Sequence, residues 1–260
     1  MSKVIHRQKV INKEEGYGVA DIHIHSSVGD GMADVSQILE YVEERTDLDV
    51  IAITDHDKIE GSFQARELAA KRGYRFEVIT GMEVTTLEGH FLALYLESPV
   101  PSLKPLADTI EAIHSQGGLC IAPHPMSWLT DSIMRRSLEK IVAGSEQGLY
   151  LDGIETINAT VAGLISNPKA RRFNHKHRLA ETGGSDAHFL NAVGSGLTLF
   201  PGRSAADLKR SILERTTKAA RGFRVRLNEV GLIQVVRQLN KSRGLPIRSI
   251  LRAIRHREFP

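Results

Sequence analysis

The sequence predicts an α/β protein in which a parallel sheet is covered by helices and closes into a barrel. Short apolar runs alternate with segments of helical periodicity along most of the 260 residues, which favours parallel strands joined by helices. Polar side chains also follow one predicted strand after another. Such groups meet in space only if the strands form a ring with a common active-site face, whereas an open sheet concentrates its site at one switch point.

The first predicted strand is the apolar run at residues 17–20, which continues into Asp21-Ile22-His23-Ile24-His25. On an extended strand, residues i and i+2 point to the same side, so the two imidazoles lie next to each other. This arrangement suits a metal ion. Taken alone, the pair is better explained as one buried and one surface histidine near a turn, and the rest of the chain overturns that interpretation.

Strands and helices are then expected in alternation. Predicted helices have apolar residues at helical spacing, and they lie at 35–45, 61–72, 105–115, 133–143 and 167–180. Pro105 near a start and Gly73 after an end support two of these boundaries. Further strands are predicted from short apolar runs at 49–54, 76–79, 81–84, 91–96, 118–122, 153–157 and 182–185.

Composition narrows the class of protein. The chain has 41% apolar and 25% charged residues, which is usual for a globular protein, and no apolar run approaches the roughly 20 residues of a membrane span. Residues 1–13 lack the apolar core of a signal peptide. The only cysteine, Cys120, lies in an apolar run, so we expect a buried structural thiol and a cytoplasmic protein.

Charge is distributed unevenly along the chain. Residues 201–260 carry 15 Lys and Arg against 4 Asp and Glu, whereas residues 1–200 carry 19 against 27. We therefore predict a domain at 1–202 followed by a basic helical C-terminal extension at 203–260, with helices at 205–213, 230–239 and 245–255. Such basic amphipathic helices bind nucleic acid, anionic lipid or an acidic partner, or pack on the body or on a second subunit.

Potential metal ligands follow most of the predicted strands. The candidates all offer nitrogen or oxygen atoms, and they are His23, His25, Asp30, His56, Glu83, His90, His124, Asp186 and His188. This donor set suits Zn, Mn or Fe. Nine ligands exceed the four of a tetrahedral zinc, so we expect two or three divalent metal ions that share carboxylates, as in many phosphoester hydrolases. No dinucleotide-binding or P-loop glycine motif is present.

Six short motifs resemble those of the PHP (polymerase and histidinol phosphatase) superfamily. In chain order they are Asp21-x-His23-x-His25, Thr54-Asp55-His56-Asp57, Gly81-x-Glu83, Gly89-His90, Pro123-His124-Pro125 and Gly184-Ser185-Asp186-Ala187-His188. The resemblance spans about residues 17–200. It implies a distorted, TIM-like (β/α)7 barrel and a trinuclear site. In that pattern His23, His25, Glu83 and Asp186 hold the first ion; Glu83, His90 and His124 the second; Asp30, His56 and His188 the third.

Other polar residues are candidates for supporting roles. Asp21 and Glu155 are expected to orient ligands from behind, and Asp55 and Asp57 either do so or cap the next helix. Lys58, Arg135 and Arg136 are candidate substrate-binding residues, although each fits a solvated surface position equally well. His175 and His177 have the i, i+2 spacing but fall in a predicted helix, where their side chains diverge, so we exclude them.

These features predict a metal-dependent phosphoesterase that hydrolyses phosphomonoesters, either small phosphate esters or nucleotides. A metal-activated hydroxide attacks phosphorus, and a metal-bound water or a nearby side chain protonates the leaving group, with Asp55, Asp186 and His188 as candidate catalytic residues. The alternative is a 5′–3′ exonuclease on short RNA or DNA, held by the basic tail. The sequence leaves the substrate, the metal and the oligomeric state open.

Overall fold

The computed structural model of the protein describes residues 16–144, 148–224 and Gln238. The described part is an α/β structure with six α-helices and ten strands. The helices are α1 (Val35–Arg45), α2 (Glu60–Arg72), α3 (Leu106–His114), α4 (Arg135–Ala143), α5 (Val161–His177) and α6 (Ala205–Leu213). The strands are β1 (Tyr17–Ile24), β2 (Val50–Ile53), β3 (Glu77–Ile79), β4 (Gly81–Thr85), β5 (His90–Leu94), β6 (Leu119–Ala122), β7 (Gly153–Asn158), β8 (Ala180–Gly184), β9 (Gly196–Pro201) and β10 (Lys218–Arg221).

The strands form two sheets. The first has the order β10-β9-β1-β2-β3 and the second has the order β4-β5-β6-β7-β8. β5 is antiparallel to both of its neighbours, and β9 is antiparallel to β1. The predicted α/β class is confirmed, but the sheets are mixed rather than all parallel. A closed seven-stranded barrel is not confirmed, because the described strands do not form one continuous ring.

The two sheets meet at the ends of their strands. Isolated bridges join His56 to Glu83 and Ile24 to Ala187. The N–H of His25 also donates to the Ala187 oxygen at 2.9 Å. His56 and Glu83, which form one bridge, are candidate ligands, and the residues of the other bridge are next to candidate ligands in the sequence. The site therefore lies where the two sheets come together.

Apolar side chains explain why the predicted elements form where they do. On α1, the buried residues Val35, Ile38, Leu39 and Val42 follow the helical repeat and pack on the first sheet. Asp34 caps this helix by accepting a hydrogen bond from the Gln37 N–H at 2.9 Å. α2 ends at Gly73, which has a φ of 63° and needs no Cβ. The Cys120 thiol is buried, as predicted.

Two regions differ from the sequence prediction. α5 begins at Val161, six residues before the predicted start, and contains Pro168. The exposed Val161 and Leu164 weaken the apolar periodicity before residue 167, so the first turns of the helix carry no pattern of a buried face. β9 and β10 were not predicted. β10 is a four-residue edge strand with charged ends, and it pairs with β9.

Part of the predicted C-terminal extension packs on the body. Leu208 and Ile212 of α6 are buried in a cluster with Ile22 and Phe200, and β10 is hydrogen-bonded to β9. Residues 205–221 are thus joined to the first sheet, while the boundary at 202 as a whole stays a prediction. The predicted helices at 230–239 and 245–255 lie outside the described residues, apart from Gln238. In the described part of the chain, no helix is both long enough and apolar enough to cross a membrane.

Candidate metal centre

All nine predicted ligands lie together at the junction of the two sheets. His23 and Glu83 belong to β1 and β4, and His90 begins β5. The others lie in segments that follow strands. Seven of the nine are buried, and His56 and His188 are half-buried at the open side. Residues up to 165 positions apart in the sequence therefore present their donor atoms to one small volume.

Four donor atoms form a compact group. The Nε2 atoms of His23 and His25 lie 3.2 and 3.3 Å from Glu83 Oε2, and 3.6 and 3.2 Å from Asp186 Oδ1. A tetrahedral ion with ligands at about 2.1 Å requires donor atoms about 3.4 Å apart. Neither ring nitrogen of the buried His25 makes an aligned hydrogen bond. Both observations fit a cation held between these four atoms.

Glu83 connects this group to a second one. Its other oxygen, Oε1, lies 3.0 Å from His90 Nδ1 and 3.1 Å from His124 Nε2. One carboxylate thus faces two sets of donors with different oxygens, the arrangement of a bridging ligand. The grouping agrees with the first and second ligand sets that the family resemblance implies.

A third group lies on the open side. His188 Nε2 lies 3.1 Å from Asp30 Oδ2, and ligand atoms of His25, Asp30, His56 and His188 all lie within 4.8 Å of one another. His25 Nδ1 is 3.7 Å from Asp30 Oδ1. The resemblance implies Asp30, His56 and His188 for the third ion, and the structure brings these three together with His25 beside them.

Glu155 supports two of the ligands from behind. Its Oε1 lies 3.2 Å from His23 Nδ1, while its Oε2 accepts hydrogen bonds from the His124 N–H at 2.7 Å and from the Asn158 amide at 2.9 Å. An ionised carboxylate only accepts, so His23 Nδ1 carries a proton and its Nε2 can offer a lone pair to the centre. The supporting role predicted for Glu155 fits this geometry.

Asp21 has a different role from the predicted one. Its oxygens accept hydrogen bonds from the backbone N–H groups of Ser185 at 3.0 Å and Gly194 at 2.8 Å, and it meets His23 only at that residue's backbone N–H. Burial raises the pKa of Asp21 to about 6, against the lowering effect of these hydrogen bonds. Asp21 therefore positions the loop that carries Asp186 rather than a histidine ring.

Asp55 contacts the turn that leads to Asp30, and the catalytic role predicted for it stays a prediction. Its oxygens accept hydrogen bonds from the Ser26 N–H at 2.6 Å and the Ser26 hydroxyl at 2.5 Å, and burial raises its pKa. A Cβ on Gly29 would lie 2.7 Å from Asp55 Oδ1, so the turn before Asp30 packs tightly on this carboxyl. Asp55 holds that turn in place. The other two candidates, Asp186 and His188, lie among the ligands.

The three predicted substrate-binding residues are not gathered at the centre. Lys58 is exposed and donates a hydrogen bond from Nζ to the oxygen of Val28, two residues before Asp30, at 2.5 Å. Arg135 pairs with Glu139 at 3.4 Å on the exposed side of α4. Arg136 is also exposed there. In the part of the chain that the structure describes, neither arginine contacts any of the nine candidate ligands.

Hydroxyl groups that sequence patterns did not single out complete the site. Ser132 Oγ and Thr130 Oγ1 lie 2.9 and 3.2 Å from His124 Nδ1, and Ser132 also donates to the His124 oxygen. Ser26 holds Asp55 directly after the first histidine pair. In the sequence, only the position of Ser26 directly after His25 pointed to a role at the site. Thr130 and Ser132 return to His124 through a loop that has no sequence pattern.

Backbone strain is concentrated at the same place. His124, Asp186 and Asp57 have φ values of 28°, 51° and 53°, in the left-handed region that side chains with a Cβ disfavour. Such conformations persist where surrounding contacts hold them, commonly at functional sites. Glu155 and Ser132 provide those contacts for the His124 backbone.

Electrostatics make the centre attractive to cations. Burial opposes protonation of His23, but the charges of Asp186, Glu83 and Glu155 outweigh it and raise the pKa of His23 well above its usual range. In the same way, hydrogen bonding and charge from Asp30 raise the pKa of His188 to about 9 against the effect of burial. Burial lowers the pKa of His56 to about 3. The carboxylates thus create a negative potential that favours protons or metal ions.

Comparisons with known proteins agree with this picture. Residues 165–217 match a family model described as PHP-associated. The chain is 35% identical over 160 residues to an uncharacterized protein of Methanocaldococcus jannaschii, which covers 57% of this chain and 86% of that protein. It is 30% identical over 182 residues to a second uncharacterized protein of the same organism, covering 69% of each chain.

Characterised relatives and solved structures are more distant. A phosphoribosyl 1,2-cyclic phosphate 1,2-diphosphodiesterase of Eggerthella lenta is 33% identical over 104 residues, 37% of this chain and 38% of that one. A two-domain protein of Bacteroides vulgatus with a predicted PHP-like metal-dependent phosphoesterase superposes with a TM-score of 0.67 at 22% identity, covering 84% of this chain and 69% of that chain.

Endonuclease Q in complex with a 27-mer DNA duplex superposes with a TM-score of 0.52 at 14% identity, over 75% of this chain and 56% of that chain. The solved structures are similar to this chain in fold. The relatives and the family model are similar to it in sequence. The family model and the two sequence relatives, together with this shared fold, show that the chain belongs to the PHP superfamily.

Proposed function

We propose that the chain hydrolyses phosphomonoesters, either small phosphate esters or nucleotides, at a centre of two or three divalent ions. The observation that carries the proposal is the position of Glu83. Its Oε2 completes a group of four donor atoms with spacings of 3.2–3.6 Å, while its Oε1 faces His90 and His124. Adjacent ions that share a carboxylate are a common arrangement for phosphoester hydrolysis.

The proposed ligand sets follow the three groups of donor atoms. As the family resemblance implies, they are His23, His25, Glu83 and Asp186 for the first ion, Glu83, His90 and His124 for the second, and Asp30, His56 and His188 for the third. Nitrogen and oxygen donors without sulfur suit Mn, Zn or Fe. When bound, such ions lower the pKa of coordinated water towards about 7 and neutralise charge on the phosphoryl oxygens.

The protein's own groups prepare this chemistry. Glu155 holds the proton on His23 Nδ1 and keeps Nε2 directed at the centre. Asp186 and His188 are the proposed catalytic residues, because His188 is half-buried at the open side and its Nδ1 lies 3.5 Å from Asp186 Oδ1. Asp55 positions the turn before Asp30. Lys58 is the better placed of the predicted substrate contacts, since Val28, its partner, belongs to that turn.

A screen of the Mn-reconstituted protein against phosphomonoesters, nucleotides and short oligonucleotides tests the proposal. His23→Ala and Glu83→Ala are each expected to remove bound metal and at least 100-fold of the activity, because each removes a donor atom from the first group. His175→Ala is the matched control, since His175 is an exposed histidine of α5 outside the site. Full turnover in His23→Ala would show that the site is wrongly assigned.

A second candidate function is 5′–3′ exonuclease activity on short RNA or DNA. The basic composition of residues 201–260 favours it, and the endonuclease Q structure was solved with duplex DNA. The end of β10 lies next to the loop that Asp21 holds, because the Gly222 N–H donates to the Ser195 oxygen at 3.0 Å. The described body therefore ends near the site.

Salt-dependent binding of short RNA distinguishes the two candidates. The variant to compare with the wild type lacks residues 225–260. It keeps α6 and β10, because both are packed into the body. Loss of RNA binding in this variant, together with retained turnover of small esters, supports a polynucleotide substrate. Binding and turnover that both remain unchanged would leave small phosphomonoesters as the substrate.

A further inference from the structure

We propose that Trp128 is a stacking platform for the base of a nucleotide whose phosphate lies at the metal centre. The inference rests on the proposed function and deepens it by naming the leaving group as a nucleoside. Trp128 is the only tryptophan of the chain, and 72% of its surface is exposed. A tryptophan left in water is a large apolar surface, and its position has to be explained.

The loop between β6 and α4 places Trp128 next to the candidate ligands. This loop starts at His124 and returns to it, because Thr130 Oγ1 and Ser132 Oγ lie 3.2 and 2.9 Å from His124 Nδ1. Trp128 is two residues from Thr130, so their Cα atoms are at most about 7 Å apart. The tryptophan therefore belongs to the tip of a loop whose two ends contact a ligand of the second group.

The loop is held in place by its own hydrogen bonds. The Met126 N–H donates to the Ile133 oxygen at 3.0 Å, and the Leu129 N–H donates to Ser127 Oγ at 3.2 Å. The Asp131 oxygen accepts a hydrogen bond from the His90 N–H at 2.7 Å. The backbone on both sides of Trp128 is thus tied to the two histidines of the second group, and the exposed ring is presented by a fixed loop.

The surroundings favour a flat apolar ligand over a polyanion. Six of the eight large apolar side chains that are exposed in the described residues follow β4, β6 or β7, namely Leu87, Trp128, Leu129, Met134, Val161 and Leu164. Leu129 and Met134 belong to the same loop as Trp128, so this loop alone exposes three large apolar side chains. Asp131, whose side chain is 64% exposed, lies 3.8 Å from His90 Nε2 and would repel a second phosphate there.

A nucleobase matches these requirements. Every base has an aromatic face, and stacking on a tryptophan stabilises it without a specific hydrogen-bond pattern. In the reaction the bond between phosphorus and the 5′ oxygen breaks, the oxygen of water bonds to phosphorus, and a proton from that water passes to the 5′ oxygen. Inorganic phosphate and a nucleoside are formed. Trp128 acts in this scheme as a specificity-determining residue and takes no part in the bond exchange.

Steady-state kinetics of the Mn-loaded full-length chain test the role of Trp128. AMP is compared with ribose 5-phosphate, which has the same sugar phosphate without the base, and with a 5′-phosphorylated trinucleotide. Trp128→Ala is expected to raise KM for AMP about tenfold or more, and to change kcat/KM for ribose 5-phosphate less than twofold. Trp128→Phe should give a smaller increase. Leu213→Ala removes an exposed apolar side chain of α6 away from the loop and should change neither value.

The trinucleotide shows where the base comes from. If Trp128→Ala raises its KM as it does for AMP, the ring stacks on the terminal base of an oligonucleotide. If only AMP is turned over, the ligand is a free mononucleotide. Equal effects of Trp128→Ala on AMP and ribose 5-phosphate would overturn the proposal. If the alanine variant melts at a lower temperature than the wild type, Trp128→Phe is used instead to compare AMP with ribose 5-phosphate.

Fluorescence provides a binding measurement that does not depend on turnover, because the chain has one tryptophan. A non-hydrolysable phosphonate analogue of AMP is expected to change the emission of Trp128 in a saturable way, and the matching ribose phosphonate should not. No change with the AMP analogue would exclude stacking. If the wild-type chain hydrolyses no phosphoester, the proposed function fails, and the fluorescence titration still decides whether a base stacks on Trp128.

Discussion

Glu155 shows how much of the site depends on residues behind the ligands. It is buried, and it contacts the His23 ring, the His124 backbone and the Asn158 amide at once. Two of the three donor groups are thus positioned by one carboxylate that belongs to neither. Groups that orient metal-binding histidines in this way commonly contribute 10–100-fold to metal affinity.

Glu155→Gln is therefore expected to weaken metal binding by about 10–100-fold and to lower activity at limiting metal. The amide keeps the size of the side chain, but its NH₂ group would face a donor, either the His124 N–H or His23 Nδ1–H. A competition titration with a chelator measures the change. Glu181→Gln is the control, because Glu181 is the exposed glutamate of β8. Unchanged affinity in Glu155→Gln would mean that His23 is oriented by other contacts.

Among the secondary-structure elements, α6 decides where the folded body ends. Ser204 begins it with a reciprocal cap, since its side chain accepts a hydrogen bond from the Asp207 N–H, and Asp207 accepts in return from the Ser204 N–H, both at 3.1 Å. Buried Leu208 and Ile212 attach the helix to the first sheet. If α6 is part of the cooperative unit, loss of the cap should destabilise the whole body.

Ser204→Ala is expected to lower the free energy of unfolding of the body by about 1 kcal/mol. Thermal or urea unfolding measures this, and Ser115→Ala, an exposed serine at the end of α3, is the control. An unchanged midpoint with separate melting of α6 would instead support a domain boundary near residue 202.

The same cap predicts a pH dependence. Hydrogen bonds from the Ser204 N–H, the Ser204 hydroxyl and the Arg203 N–H hold the pKa of Asp207 below its ordinary value of 3.8. A carboxyl with a lowered folded pKa stabilises the fold fully above that ordinary value, and the contribution is lost as the pH falls below it. The difference in midpoint between wild type and Asp207→Asn should therefore be constant at neutral pH and shrink below about pH 4.

For the molecule as a whole, the site and the sheet junction are the same region. The bridge between His56 and Glu83 joins the two sheets, and both residues are proposed ligands. Ile24, in the other bridge, lies between His23 and His25. Ions bound there would hold the sheets together, in addition to any chemistry they support.

Metal binding should therefore stabilise the complete fold. A ligand that binds only the folded state adds about 2.7 kcal/mol when present at 100 times its Kd, and the melting temperature rises accordingly. Calorimetry with Mn and after chelation is expected to show this rise for the wild type and for His175→Ala. His23→Ala should show a smaller rise, because it removes a donor atom of the first ion but leaves the other two donor groups. A rise of equal size in His23→Ala would place the stabilising ion elsewhere.

The chain alone was enough to identify most of the alternating elements, though not β9 and β10, and all nine candidate ligands. Apolar periodicity reports local structure, and coordinating residue types at strand ends can be recognised one motif at a time, since a metal centre requires particular donor atoms. α1, with its apolar stripe, matched the predicted range, and so did α6. The start of α5 did not, because exposed Val161 and Leu164 do not follow the pattern of a buried face.

Other features depend on which distant residues pack together, and local patterns do not contain that information. They include the two separate sheets in place of a closed barrel, the different partners of the two Glu83 oxygens, and the use of Asp55 to hold Ser26. Trp128 is likewise four residues from His124 in the sequence, but only the return of Thr130 and Ser132 to that histidine places it at the site. Residue types are written along the chain, whereas the distances between their atoms arise only when the two sheets pack against each other.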